Sequence, residues 1–312
     1  MILIILKTQL QNDFIPLFDL HCDTLLELYN HKASIVNNNL HISLNKASAF
    51  SPYFQVCAIW SNSSLSNEEA YEIYNEVVKY SKNHLSFSKS EKNFSSNNFI
   101  LAVEDARILN GNISRLDNMY NDGVRILTLN WRGNSIIGGG WDTSSHLTEF
   151  GKEVIKKCFN YGIIPDVSHS SINTINDAFI LAEQYKKPIV ASHSNAYDIC
   201  NHKRNIIKEH FKWLVANSSL LGVSLASEHL SNLGRASISD ILRHIDYFLN
   251  LGGENTVCLG CDFDGVATLP SEISSISDLK ILYYEFKQAF GEKIAKKIFF
   301  ENAYSFMKKA LK

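Results

Sequence analysis

The tripeptide His21-Cys22-Asp23 follows directly on the apolar run Leu17-Phe18-Asp19-Leu20. In extended backbone, alternate side chains share a side. His21 and Asp23 therefore project together from a strand tip while Cys22 points away. An imidazole beside a carboxylate is the start of a divalent-metal site. Four later apolar runs end in comparable groups. Phe99-Ile100-Leu101-Ala102-Val103 runs into Glu104, and Ile163-Ile164-Pro165-Asp166-Val167 leads to Ser168-His169. Pro188-Ile189-Val190-Ala191-Ser192 ends at His193, and Val257-Cys258-Leu259-Gly260-Cys261 ends at Asp262, inside Asp262-Phe263-Asp264-Gly265. Such groups can ligate a metal or move protons.

Chemistry repeated at the carboxyl ends of strands is what a parallel barrel produces, because its active site is built from the loops that follow its strands. Eight strand candidates are present: 17–20, 54–60, 99–103, 124–129, 163–167, 188–192, 221–225 and 257–261. Most are near-continuous apolar runs, as strands covered on both faces require. Helical patterns lie between most of them. Residues 67–83 carry Ala70, Ile73, Tyr74, Val77 and Val78 at helical spacing. Thr148 is an N-cap for a helix bearing Val154, Ile155, Cys158 and Phe159, and another helix begins after Ser170-Ser171 and runs to Tyr185. The pattern over 238–251 stops at Gly252-Gly253. Eight strand–helix repeats with right-handed crossovers predict a closed (β/α)8 TIM barrel as a single domain over 1–312, with 1–15 as an N-terminal extension. No glycine-rich phosphate fingerprint follows the first strand, which counts against a dinucleotide fold.

Composition narrows the function. A chain of 312 residues that is 45% hydrophobic and 11% aromatic can build a large core. The net charge of −2 offers no basic field for nucleic acid or anionic lipid. Six scattered cysteines without a paired framework read as reduced thiols, which points to the cytoplasm. Cys258 and Cys261 fall on opposite strand faces and cannot chelate together. The apolar start Met1–Leu6 is too short to span a membrane and lacks the marks of a signal peptide, so no membrane partner is expected.

The segments Asp19-Leu20-His21-Cys22-Asp23-Thr24-Leu25, Leu147-Thr148-Glu149-Phe150-Gly151, Asp166-Val167-Ser168-His169, Ser192-His193-Ser194-Asn195-Ala196, Arg204-Asn205-Ile206 and Gly260-Cys261-Asp262-Phe263-Asp264-Gly265 resemble, in order and over nearly the whole chain, those of the membrane (renal) dipeptidase family of zinc peptidases. The resemblance implies two Zn2+ ions. His21, Asp23 and Glu104 would hold one, and Glu104, His169 and His193 the other, with Glu104 bridging. It implies a shared hydroxide attacking the amide of a dipeptide with a free C-terminal carboxylate, including substrates with a D-residue at the second position. Asp262 would carry the proton and Arg204 would bind the carboxylate. A homodimer is also implied. Physical chemistry agrees with these roles, since two ions about 3.5–4 Å apart can share and acidify one water, and a guanidinium fits a carboxylate bidentately.

Two positions depart from the family pattern. Glu104 is followed by Asp105 where a glycine is common, and Trp131 stands where mammalian-type relatives carry a substrate-binding histidine. Trp131 is kept as a substrate-contacting residue, and substrate preference is open. Asp105 competes with Glu104 for the bridging place, although the end of the apolar run favours Glu104. Asp19 and Asp166 read as barrel-interior or supporting groups, and Asp264 as a loop cap with Gly265 supplying an unusual backbone angle. His146, His202 and His229 read as loop or surface residues, and Gly138-Gly139-Gly140 as a flexible loop over the site. Two alternatives stand beside the dipeptidase reading: another binuclear amidohydrolase acting on an N-acyl amino acid, lactam or lactone, and a barrel that binds a ligand without turnover.

Overall fold

The computed structural model describes residues 14–93 and 97–311; the expected N-terminal extension falls, up to residue 13, outside them. Eight parallel strands close a barrel in sequence order: β1 (Ile15–Asp19), β2 (Phe50–Trp60), β3 (Asn97–Glu104), β4 (Val124–Thr128), β5 (Ile164–Asp166), β6 (Val190–Ala191), β7 (Leu220–Val223) and β8 (Val257–Leu259), with β8 pairing back to β1. All eight strand expectations fall on these elements, with shifted ends. β2 begins four residues earlier, and β4 to β8 each end one or two residues sooner.

The outer ring includes α1 (Thr24–His31), α2 (Asn67–Lys82), α3 (Arg115–Asp122), α4 (Glu149–Tyr161), α5 (Ile172–Tyr185), α6 (Lys208–Ala216), the short α7 (Ser227–Leu230) and α8 (Ile238–Asn250). Side-chain capping sets the starts of α2, α4, α5 and α8. Thr148 Oγ1 accepts from Gly151 N at 2.9 Å, and Ser171 Oγ accepts from Thr174 N at 3.1 Å. Ser66 and Glu69 form a reciprocal capping box on α2. Gly162 ends α4 with φ 72°, a left-handed angle that glycine takes without steric cost. Beyond β8 come α9 (Leu279–Phe290), α10 (Glu292–Lys296) and α11 (Asn302–Ala310).

Alternation along the strands sorts the core into two layers. Phe18, Phe54, Val56, Ile100, Ile126, Ile164, Val190, Leu220 and Cys258 fill the barrel interior, and Ala303, Met307 and Leu311 pack into the same cluster. Helix α11 therefore stoppers one end of the barrel. The opposite faces of the strands pack on the helices, and Cys261 belongs to that outer layer, apart from Cys258. All six cysteines are free and buried. Of the two readings of Asp19, the interior place is not taken and the supporting one is. Its neighbours Phe18 and Leu20 point inward, so its own buried carboxylate accepts from Gln55 Nε2 at 2.9 Å and Cys261 N at 2.7 Å on the other face. Among the described residues, no helix is long and apolar enough to cross a membrane.

Candidate active site

The interior residues nearest the carboxyl ends of the strands are polar or small. Glu104 ends β3, Asp166 ends β5, and Ser192 follows β6. The segment after β1 stays in register with its neighbours. Cys22 N donates to Val56 O at 3.1 Å, Asp23 N to Phe263 O at 2.9 Å, and Asp262 N to His21 O at 3.0 Å. These bonds fix His21, Asp23 and Asp262 on one rigid edge, while Cys22 turns away to meet Cys57, Sγ to Sγ 3.7 Å.

Six side chains converge. His21 Nε2 lies 3.5 Å from Asp23 Oδ2, 3.4 Å from Glu104 Oε2 and 3.8 Å from Asp262 Oδ1. His169 Nε2 lies 2.8 Å from Glu104 Oε1, and His193 Nε2 lies 3.6 Å from the same oxygen. The two Nε2 atoms of His169 and His193 are 2.8 Å apart. The rings of His21 and His193 stack with centroids 3.7 Å apart. Glu104 thus directs one oxygen to each half of the cluster. Three overlapping triads, His21–Asp23–Glu104, Glu104–His169–His193 and His21–His193–Asp262, each bring their ligand atoms within 4.8 Å of one another.

The residues fit a pair of divalent cations. His21 Nε2 and Asp23 Oδ1 are buried and have no hydrogen-bond partner, a costly state unless another species satisfies them. Imidazole and carboxylate are also the right donors for such ions. The carboxylates also draw positive charge to this spot. Burial alone would favour neutral His21, yet Glu104 and Asp23 outweigh burial and hold its imidazole well above its ordinary pKa. Burial would likewise raise Glu104, but His169 and His21 overcome it and keep the carboxylate ionised. Burial and the charge of Glu104 push Asp23 up to about 6. Burial and Arg204 depress His169 to about 4, leaving a neutral, lone-pair-bearing ring. Asp262 is raised well above the carboxylate range by burial, with Asp23 and Glu104 adding to it and His21 opposing.

Neighbouring groups orient these side chains. Ser192 Oγ donates to Asp166 Oδ2 at 2.6 Å and lies 2.7 Å from His193 Nδ1. With its own hydrogen engaged, Ser192 accepts from Nδ1–H, so the bare nitrogen of His193 is the Nε2 that faces the cluster. Asp166 also accepts from Thr128 Oγ1, Ser168 N and Ser192 N, tying the ends of β4, β5 and β6 together. Asp105 stands outside the cluster, where its carboxylate pairs with Arg107 Nε at 3.1 Å. Its φ of 80° explains why glycine suits this position. Arg204 is buried. Its Nη2 donates to His193 O at 2.8 Å and its Nη1 to Ser194 Oγ at 3.1 Å, while Nε has no partner.

A cavity of ≈ 190 Å³ opens over the cluster, walled by Trp60, Trp131, Leu26 and Glu27. Trp131 packs edge-on to Trp60 at 5.1 Å and lies 6.2 Å from the His169 ring. Trp60 was not singled out from the sequence, though its place at the end of a barrel strand was a usable signal. Three expectations need correction. Gly265 lacks a left-handed angle; Asp262 and Asp264 have them, with φ 64° and 66°. Gly265 is small because a Cβ there would lie 2.0 Å from Asp23 Oδ2. Gly138–Gly140 are packed into a strap, since a Cβ on Gly140 would lie 2.5 Å from Arg132 Cα and Trp141 N donates to His169 O at 2.7 Å. His229 lies in α7, half-buried and stacked at 4.6 Å on His202, which falls in a loop as expected with Trp141 against it, while His146 is exposed as expected. Asp264 caps its loop as expected, accepting from Thr24 Oγ1 and His41 N, each at 2.6 Å.

An eight-stranded parallel barrel with imidazoles and carboxylates gathered at its strand ends defines a metal-dependent hydrolase. Residues 7–312 match the membrane dipeptidase family (peptidase family M19), and the chain belongs to that family: it is a metallo-dipeptidase, a hydrolase acting on peptide bonds. An "uncharacterized protein in pqqA 5′ region" of Klebsiella pneumoniae is 32% identical over 189 residues, 57% of this chain and 68% of its own. A Schizosaccharomyces pombe protein named as an uncharacterized dipeptidase is 30% identical over 187 residues, 57% of this chain and 44% of its own. The crystal structure of a Rhodobacter sphaeroides metallopeptidase, liganded with a phosphinate mimic of the dipeptide L-Ala-D-Ala, superposes with a TM-score of 0.87 at 22% identity, covering 96% of this chain and 100% of that one. At that identity the likeness establishes the fold.

Proposed function

We propose that the chain is a two-zinc dipeptidase that cleaves dipeptides with a free C-terminal carboxylate and accepts a D-residue at the second position. The observation that carries this reading is the convergence of His21, Asp23, Glu104, His169, His193 and Asp262, with His21 Nε2 and Asp23 Oδ1 buried and unpartnered. His21, Asp23 and Glu104 would hold one cation, and Glu104, His169 and His193 the other. When bound, such cations supply the Lewis acidity that ionises water near neutral pH and polarises a carbonyl.

The chain's own residues do the rest. Glu104 fixes the spacing of the two halves of the cluster through its two oxygens. The Asp262 carboxylate, 3.8 Å from His21 Nε2 at Oδ1, takes a proton from the attacking water and delivers it to the leaving amide nitrogen. Arg204 marks the side where the substrate carboxylate lies, with its buried Nε–H still unused. Burial lowers its pKa to about 10, so it stays charged at neutral pH. Trp60 and Trp131 close the cavity and exclude water. Acceptance of a D-residue draws support from the L-Ala-D-Ala mimic held by the Rhodobacter sphaeroides relative. We also place the enzyme in a reducing compartment such as the cytoplasm, in keeping with six unbridged thiols.

The test is a panel of L-Ala-L-Ala, L-Ala-D-Ala, C-terminally amidated L-Ala-L-Ala, N-acetyl-alanine and a lactone, assayed with the zinc-loaded protein. Hydrolysis of the two free dipeptides alone supports the reading. Preference for the acylated amino acid or the lactone overturns it.

A further inference from the structure

We propose that the wall formed by Glu27, Trp60 and Trp131 is a specificity pocket for a cationic side chain on the substrate's first residue, so that dipeptides beginning with Lys or Arg are favoured. This deepens the dipeptidase reading and rests on it. β2 and β6 stand four strands apart in a closed ring of eight, on opposite walls of the barrel mouth. Arg204 belongs to the loop after β6, while Trp60 ends β2 and Glu27 lies in the first turn of α1, which follows β1. A dipeptide whose carboxylate turns toward Arg204 therefore directs its first residue toward Trp60 and Glu27.

The chemistry of that wall is specific. The two indole rings meet edge to face with centroids 5.1 Å apart, offering π surface to a cation. The Trp131 ring already neighbours one guanidinium, with Arg132 Cζ 5.8 Å from its centroid and Arg132 Nε 3.5 Å from Asp142 Oδ2. Of the carboxylates around the cavity, Asp23 and Glu104 belong to the cation cluster, Asp262 moves the proton, and Asp264 is engaged by Thr24 and His41. Glu27 remains. It lines the cavity and its side chain is 31% exposed. Its oxygens meet Asn30 Nδ2 at 3.4 Å and the exposed His31 Nε2 at 3.3 Å. Contacts that long and solvated are weak, so Glu27 can exchange them for a substrate ammonium or guanidinium. No Lys or Arg is among the residues lining this cavity.

The experiment compares kcat/KM for Lys-Ala and norleucine-Ala, a pair matched in length and differing in charge, with wild type, Glu27→Gln and Glu27→Lys. The expected result is a Lys-Ala preference of about tenfold in wild type, near unity in Glu27→Gln and reversed in Glu27→Lys. Equal values for the two substrates in wild type, or a preference that survives both substitutions, would overturn the proposal and leave the dipeptidase reading standing. Cleavage of neither substrate by the metal-loaded protein would sink both. Circular dichroism of the variants separates a folding defect from a change in the ratio, since only the ratio carries the inference.

Discussion

At the scale of single residues, the division of labour within the cluster is set by hydrogen bonding and burial. His193 is held in one tautomer because Ser192 spends its proton on Asp166. Ser192→Ala frees that ring and leaves Nδ1–H unpaired. It should weaken metal affinity roughly 10–100-fold, read by competition with a chromophoric chelator; an unchanged affinity would remove Ser192 from the site. Asp262 has a different duty. Asp262→Asn should keep both metals while kcat falls roughly a hundredfold or more. Metal content by elemental analysis and kcat measured on one preparation separate the two properties, and full turnover in the variant would refute the proton-carrier role.

At the scale of elements, the site depends on close backbone approaches and on unusual angles. A Cβ on Gly260 of the loop after β8 would lie 1.8 Å from Ser192 O, and one on Gly222 of β7 would lie 2.0 Å from the same atom. These two glycines let the end of β6 lean into the mouth and deliver His193. Gly260→Ala should therefore cost about 3 kcal/mol or more and lower metal occupancy as well, which denaturant unfolding and metal analysis would both register. Stability within about 0.5 kcal/mol of wild type would show that the approach is not needed. His169, Asp262 and Asp264 all sit at φ between 64° and 66°, a region that costs a non-glycine residue energy and recurs where side chains must be aimed. These features mark how far the sequence could be read. The strand ends were legible because apolar runs stop at chemical residues: Val103 before Glu104, Ser192 before His193, Cys261 before Asp262. The roles of Gly222 and Gly260 were not, because a contact across three strands leaves no local pattern. Gly265 was read for its backbone freedom, whereas its requirement is steric and comes from Asp23 in a remote segment. Trp60 escaped notice because an aromatic residue in a barrel strand usually reads as core.

At the scale of the whole molecule, the barrel works as a rigid frame closed at one end by α11 and open at the other over the cluster. Met307 is fully buried in the interior layer, so Met307→Ala should cost about 2–5 kcal/mol in denaturant unfolding while the remaining folded enzyme keeps its kcat. A loss of kcat with intact stability would mean that the stopper communicates with the mouth. The frame also has an acid limit. His244 is buried neutral, accepting from Ala196 N at Nδ1 and facing Leu230 O with Nε2, and burial lowers it to about 4. The unfolded chain binds this proton near pH 6.5 and the native chain does not, so stability should rise with pH through the window from 4 to 6.5. His244→Asn should flatten the slope of melting temperature against pH across that window; an identical slope would assign the acid sensitivity elsewhere.

The account as a whole stands on Glu104 joining two cation sites. Titration of metal-free protein with Zn2+, followed by elemental analysis, tests it most directly. Wild type should bind two zinc ions per chain and gain dipeptidase activity in step, and Glu104→Gln should lose tight binding at both sites. A single ion in wild type, or two retained in Glu104→Gln, would contradict it.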